Sequence, residues 1–178
     1  MIPLEFFQVI ARRRSVRAYS PEPIDEEKLK RIFGAANMAP SAGNLQAYQV
    51  HVFRKEEKKE ALAKAAFDQT FIVEAPVCLV FSADPARSAT KYGERGSELY
   101  SVQDATIAGT YAMLAAVDMG LATVWVGAFD EEKVRQVVGV DSIRPVAMFA
   151  VGHPAEEPAP TPRRAIEEIF HGDFPQTD

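Results

Sequence analysis

The chain carries a single cysteine, Cys78, so no disulfide can form within it. Cys78 lies in the apolar run 76–81 and reads as a core residue rather than a nucleophile. Histidine is scarce too. His51, His153 and His171 stand far apart, and none is at ligand spacing from a cysteine or an acid, which argues against a metal site. No Gly-x-Ser-x-Gly elbow and no His-Glu-x-x-His occurs, so hydrolase signatures are missing. Neither a Walker loop nor Gly-x-Gly-x-x-Gly is found, and a Rossmann site is not supported. Positive charge is in deficit, with a formal net charge of −5 and no extended basic face, so nucleic acid is not an expected partner. The N-terminal apolar stretch is interrupted by Glu5 and followed, not preceded, by its arginines, which is unlike a secretory leader; a cytoplasmic location is expected. The one long apolar run, 105–129, has Asp118 as its only charge and is long enough for a membrane helix. Thr106, Gly109, Thr110 and Gly120 dilute it, however, and 119–121 reads as a break. The expectation is a buried helix over 101–118, a glycine turn and a buried strand over 122–127, with no membrane span.

Against the acidic background stands one cationic knot, Arg12-Arg13-Arg14-Ser15-Val16-Arg17. Arginine presents a planar fork of donors that matches phosphate or carboxylate, and Ser15 adds a hydroxyl. The residues alone leave two readings, a phosphate anchor or a solvated cluster at a helix end. The segment 40–46, Pro-Ser-Ala-Gly-Asn-Leu-Gln, is similarly open. Gly43 would let the backbone approach a ligand, and Ser41, Asn44 and Gln46 supply neutral hydrogen bonds that suit a heterocycle such as a flavin, yet an ordinary polar turn would look the same. The strand 122–127 ends at Gly127, where backbone N–H groups could face a ligand at a strand end; Trp125 alone reads as core. Asp104 enters the long apolar helix as a helix-dipole partner or a dimer contact.

Length and composition (178 residues, 47% apolar, 25% charged) suit one domain spanning 1–178 with a sizeable core. Helices are predicted over 3–12, over 25–37 with Asp25 as N-cap, over 56–66, and over 130–138 with Asp130 as N-cap. Strands are predicted over 48–53, 77–82, 122–127 and 145–151. Residues 84–98 are polar, hold Gly93 and Gly96, and read as a mobile loop. The tail 152–178 holds five of the twelve prolines and should run extended over a surface. Ile166, Ile169 and Phe170 in a short helix over 165–170 should dock, in a chain this short on a second subunit.

In order, Arg13-Arg14-Ser15-Val16-Arg17, Ala39-Pro40-Ser41-Ala42-Gly43-Asn44-Leu45-Gln46, Gln103-Asp104-Ala105, Val124-Trp125-Val126-Gly127, and Gly152-His153-Pro154 with a distal Pro162-Arg163-Arg164 resemble the FMN-dependent nitroreductase family. The resemblance covers about 10–172. It implies an α+β fold, a mixed sheet flanked by helices, in an intertwined homodimer with an FMN in each of two interface sites. It implies that Arg13, Arg14, Ser15 and Arg17 hold the FMN phosphate and ribityl side, and that Arg163 and Arg164 return to the phosphate at the end of the crossing arm. Pro40, Ser41, Ala42 and Asn44 would touch the flavin from the other subunit, with Gln46 close by. Val126 and Gly127, with Trp125 in the same stretch, would lie against the ring, where a backbone N–H can meet N5. Asp68 and Gln69 align with a position that contacts the ring or ribityl chain. The implied reaction carries hydride from NADH or NADPH through FMN to a nitroaromatic or quinone, with no catalytic side chain required. Related activities on the fold (dehalogenation, flavin cleavage, ring oxidation), flavin binding without turnover, or phosphate binding without flavin are the alternatives. Many members have Gln-Pro-Trp where this chain has Gln46-Ala47-Tyr48. The chain is also short for the family, so 84–98, with Tyr92 and Tyr100, would serve as a reduced substrate lid.

Overall fold

Seven consecutive residues, Val77–Ala83, are buried along their whole length, and the sheet is built around them. In the computed structural model, which describes residues 5–172, this strand β2 pairs with β1 (Tyr48–Phe53) and β4 (Arg144–Gly152), and β3 (Ala122–Val126) closes the far edge in the order β1-β2-β4-β3. Every strand pair is antiparallel. Among the described residues the one parallel pairing is an isolated bridge, Ser15 to Thr123, so the expected mixed sheet is an antiparallel sheet with a parallel touch at its β3 edge.

Side chains alternate between the faces of a strand. Cys78 and Val80, with Val124, Val126, Met148 and Ala150, pack on one face against Leu62, Ala63, Ile72 and Val134. These come from α3 (Glu56–Ala65), α4 (Phe71–Glu74) and α7 (Glu131–Val138). Val77, Leu79, Phe81, Ala147, Phe149 and Val151 pack on the other face, against α2 (Glu26–Asn37) and α6 (Ser101–Asp118). Cys78 is fully buried and its thiol is pushed up to about 12 by burial, as a core residue should be. α6 lies close because its buried stripe is small: Ala105, Ala108, Gly109, Ala112 and Ala116. A Cβ on Gly109 would stand only 3.0 Å from the Phe149 ring. That stripe accounts for the long apolar run, and among the described residues no helix is long and apolar enough to cross a membrane.

The capping predictions hold. The Asp25 carboxylate accepts from the Glu27 N–H at 2.7 Å, and that of Asp130 from the N–H groups of Glu132 and Lys133. The helix expected over 3–12 is α1 (Phe6–Arg12); its first residues lie outside the described ones, as does Pro175. The expected mobile loop over 84–98 is instead helical: α5 (Pro85–Arg95) runs into a π-turn, Gly96–Tyr100. Asp84 caps α5 by accepting from the Arg87 N–H at 3.0 Å, and Pro85 occupies the first turn. This start signal outweighs the two glycines. In the tail, the predicted helix over 165–170 is a single 3₁₀ turn, Ile166–Glu168.

Candidate functional site

Two loops and one strand edge gather the residues picked out by the sequence. At the β3 edge, Ser15 is fixed by its bridge to Thr123 and by the Val16 N–H, which donates to the Thr123 carbonyl at 3.3 Å. Two residues beyond Arg17, Tyr19 is buried and shares its hydroxyl proton between the carbonyls of Val16 (2.7 Å) and Ala150 (3.1 Å). Burial drives its phenol far above the usual range, so it stays a neutral donor. These ties hold the arginine segment on the sheet. The tail then returns: Tyr19 bridges Pro154, and the Ala155 N–H donates to the Ala18 carbonyl. As a result Arg163 joins Arg13, Arg14, Ser15 and Arg17 around a cavity of about 520 Å³ walled by Pro158–Thr161. No acid lines it. Among the described residues none of these four arginines is in an ion pair; Arg14 donates to the carbonyls of Ala11 and Arg13. Arg164 is turned elsewhere and pairs with Glu168 at 3.1 Å. The neighbouring cavity, of about 380 Å³, mixes Arg12 and Arg14 with Asp118, Glu156 and Glu157, and so suits an anion less well. Unpaired guanidiniums without acids are the donor set a phosphate needs.

The loop 40–46 sits at the β1 edge and is held by an acid 60 residues away in the chain. Asp104, only 1% exposed, accepts the N–H of Ala42 at 2.9 Å and that of Ala47 at 3.2 Å. The Ser41 hydroxyl accepts from the Gln46 N–H at 2.9 Å, and Arg87 donates to the Leu45 carbonyl. Pro40, Gly43 and Asn44 are exposed, and Ser41, Ala42 and Gln46 half-buried. The sequence placed Asp104 in a structural role but gave no sign of these partners, since nothing local connects Asp104 to the loop.

Backbone conformation singles out the same regions. All four non-glycine residues with positive φ among the described residues are Asn44, Gln46, Phe67 and Asp68. A left-handed conformation costs an L-residue on the order of 1 kcal/mol, and such residues gather at binding and catalytic sites. Two are in the 40–46 loop. The other two precede Gln69, whose side-chain amide donates to the carbonyls of Ala66 (2.9 Å) and Ala128 (3.2 Å). Asp68 and Gln69 thus stand beside the exit of β3. There Gly127 is exposed, the Val126 side chain is buried, and Trp125 packs edge-on against Phe149 with centroids 5.0 Å apart. At 126–127 it is therefore the backbone, at exposed Gly127, that is open to a ligand.

These two groups of residues do not meet within one chain. β1, which continues the 40–46 loop, and β3, which leads to Gly127, are opposite edges of the sheet. Three strand spacings, about 14 Å, separate them.

The nitroreductase family model matches residues 10–74 and 68–153. An NADH dehydrogenase of Thermus thermophilus is 33% identical over 89% of this chain and 91% of its own length. An FMN reductase [NAD(P)H] of Bacillus subtilis is 32% identical over 94% of this chain and 73% of its own. Among solved structures, the NADPH:FMN oxidoreductase of Vibrio harveyi complexed with NAD⁺ superposes with a TM-score of 0.87 at 27% identity, over 97% of this chain and 78% of that one. Helices flanking an antiparallel sheet and matches along most of the sequence lead to one conclusion: the chain belongs to the nitroreductase family.

Proposed function

We propose that the protein is an FMN-dependent oxidoreductase that passes hydride from NADH or NADPH to a small-molecule acceptor such as a nitroaromatic or a quinone. The observation that carries this is the acid-free cavity in which Arg163 joins Arg13, Arg14, Ser15 and Arg17. Two or more guanidiniums suffice to neutralise a phosphate dianion. When bound, FMN supplies the hydride chemistry itself, through N5 of its ring. The protein binds and orients. Asp68 and Gln69, beside the β3 exit, take the ribityl side. The Gly127 backbone, with Val126 and Trp125 packed behind it, faces the ring. No acid or base side chain is needed for that transfer.

Pro40, Ser41, Ala42, Asn44 and Gln46 reach that ring from a second copy of the chain. The strand order supports this, because one protomer holds its 40–46 loop and its β3 exit at opposite edges. Exposure supports it as well: Phe6 and Phe7 of α1 are 62% and 80% exposed, and Ile166 and Ile169 of the tail 51% each, apolar surface that a partner would cover. The chain would then be one domain whose arm, from Gly152, keeps Arg163 at its own arginine segment and carries Ile166 and Ile169 onto the partner. A cytoplasmic location, where reduced nicotinamide cofactors are plentiful, fits this reading. Light scattering with FMN quantification tests the arrangement. The expected result is a dimer with two FMN, and monomers that lose FMN when the chain is cut after Gly152; a monomer that binds FMN tightly would contradict it.

A further inference from the structure

The arginines of the phosphate cavity account for one anion, yet a second group of cations lies beside the other half of the site. Arg87 and Lys91 are four residues apart on α5, hence on one face. Arg87 donates to the Leu45 carbonyl, which lays this face on the 40–46 loop. A Cβ on Gly43 would stand 2.7 Å from Lys91 Nζ and 2.5 Å from the Tyr92 hydroxyl, so both side chains reach the middle of that loop. At Gly93 the backbone turns through φ 54, ψ −141, a conformation that needs glycine, and the π-turn 96–100 follows. Gly96 is required too, because a Cβ there would meet the Ser88 carbonyl at 2.6 Å. This corner brings Arg95 back onto Tyr100: its Nε donates to the Tyr100 hydroxyl at 2.9 Å, and the guanidinium stands 5.3 Å from the ring centroid. Tyr92 and Tyr100 pack edge to face at 5.2 Å, and Lys91 stands 5.3 Å from the Tyr92 ring.

Lys91, Tyr92, Tyr100 and Arg95 are therefore one connected cluster. Lys91 and Arg95 are exposed and, among the described residues, in no ion pair. Glu94 and Glu98, the acids of the same segment, are exposed and not paired with either. In a chain of net charge −5, two uncompensated cations held beside a strained loop are placed for an anion that comes and goes. We propose that Lys91 and Arg95 form the subsite for the phosphates of the dinucleotide donor, with the Tyr92–Tyr100 pair as its aromatic floor. This rests on the flavin reading above. The ligand chemistry is phosphate, from the diphosphate bridge common to NADH and NADPH or from the 2′-phosphate of NADPH.

The test uses FMN-loaded protein, native and Lys91→Met, with Lys91→Met/Arg95→Met as the second variant. Calorimetric titration with NAD⁺ and with NADP⁺ measures binding without turnover. Steady-state KM is then compared for NADH, NADPH and the phosphate-free donor N-benzyl-dihydronicotinamide. A lost charge-assisted contact at an exposed site corresponds to about a tenfold weaker dinucleotide affinity, with the neutral donor's KM moving less than about twofold. Loss for both dinucleotides assigns the subsite to the diphosphate, and loss for NADP⁺ alone to the 2′-phosphate. Unchanged affinity for both, or an equal loss with the neutral donor, would overturn the proposal. Failure of the flavin reading would look different: the native protein would take up no FMN, or its flavin would not be reduced even by the neutral donor.

Discussion

Asp104→Ala is the substitution that most sharply tests how the 40–46 loop is held. It removes both acceptors at once and leaves the N–H groups of Ala42 and Ala47 without their partner. A hydrogen bond to a charged acceptor contributes about 1.5–3 kcal/mol, and a buried donor left unsatisfied costs about 1–3 kcal/mol. Ala47 is fully buried, so water cannot replace the carboxylate there; half-buried Ala42 can be rehydrated in part. Relief from burying a carboxylate works the other way, which puts the net loss at about 2–4 kcal/mol. For a chain of this size each kcal/mol lowers Tm by roughly 2–4 °C, so a drop of about 5–15 °C is expected. Asp104→Asn keeps one acceptor oxygen and should lose about half as much. Circular dichroism melts of the flavin-free proteins give the ranking, and FMN titration of the folded variants should show weaker binding, although Asp104 itself is buried behind the loop. A Tm for Asp104→Ala within about 2 °C of the parent, with unchanged FMN affinity, would show that Asp104 does not hold the loop.

The phosphate cavity predicts that Arg13→Ala and Arg163→Ala each weaken FMN binding about tenfold to a hundredfold, from a charge-assisted bond of about 1.5–3 kcal/mol, as read by equilibrium fluorescence titration. Arg164→Ala should change it less than about threefold, since Arg164 is held by Glu168; the opposite ranking would move the anchor to Arg164. Tyr19→Phe removes the buried hydroxyl whose one proton is shared between the Val16 and Ala150 carbonyls, tying the arginine segment to β4, and should cost about 1–2 kcal/mol in urea denaturation. An unchanged midpoint would show that the segment is held by other contacts.

Elements with strong local signals were legible in the sequence. Asp25 and Asp130 announced their helices because a capping side chain bonds two or three residues away, within reach of local reading. The run 77–82 announced a strand buried on both faces, and β2 is one. At 84–98 the helix start at Asp84 and Pro85 prevails over Gly93 and Gly96, which alone would suggest a loop. Those glycines do not dissolve the helix; they bend it into the corner that joins Tyr92 to Tyr100. α4 (Phe71–Glu74) is a single turn and too short for its period to show. In the site, the residue types were legible, but their partners were not. Asp104 meets a loop some 60 residues earlier, and Arg163 meets Arg13 only because the tail folds back along Ala18 and Tyr19. Such pairings depend on the finished topology.

The most direct measurement of the central claim is the visible absorption spectrum of the purified, FMN-incubated protein, recorded without oxygen before and after NADH or NADPH is added. The expected result is a protein-bound flavin spectrum that bleaches on addition of the donor and returns when a nitroaromatic or quinone is supplied. A protein that retains no FMN, or a bound flavin that neither donor bleaches, would contradict it.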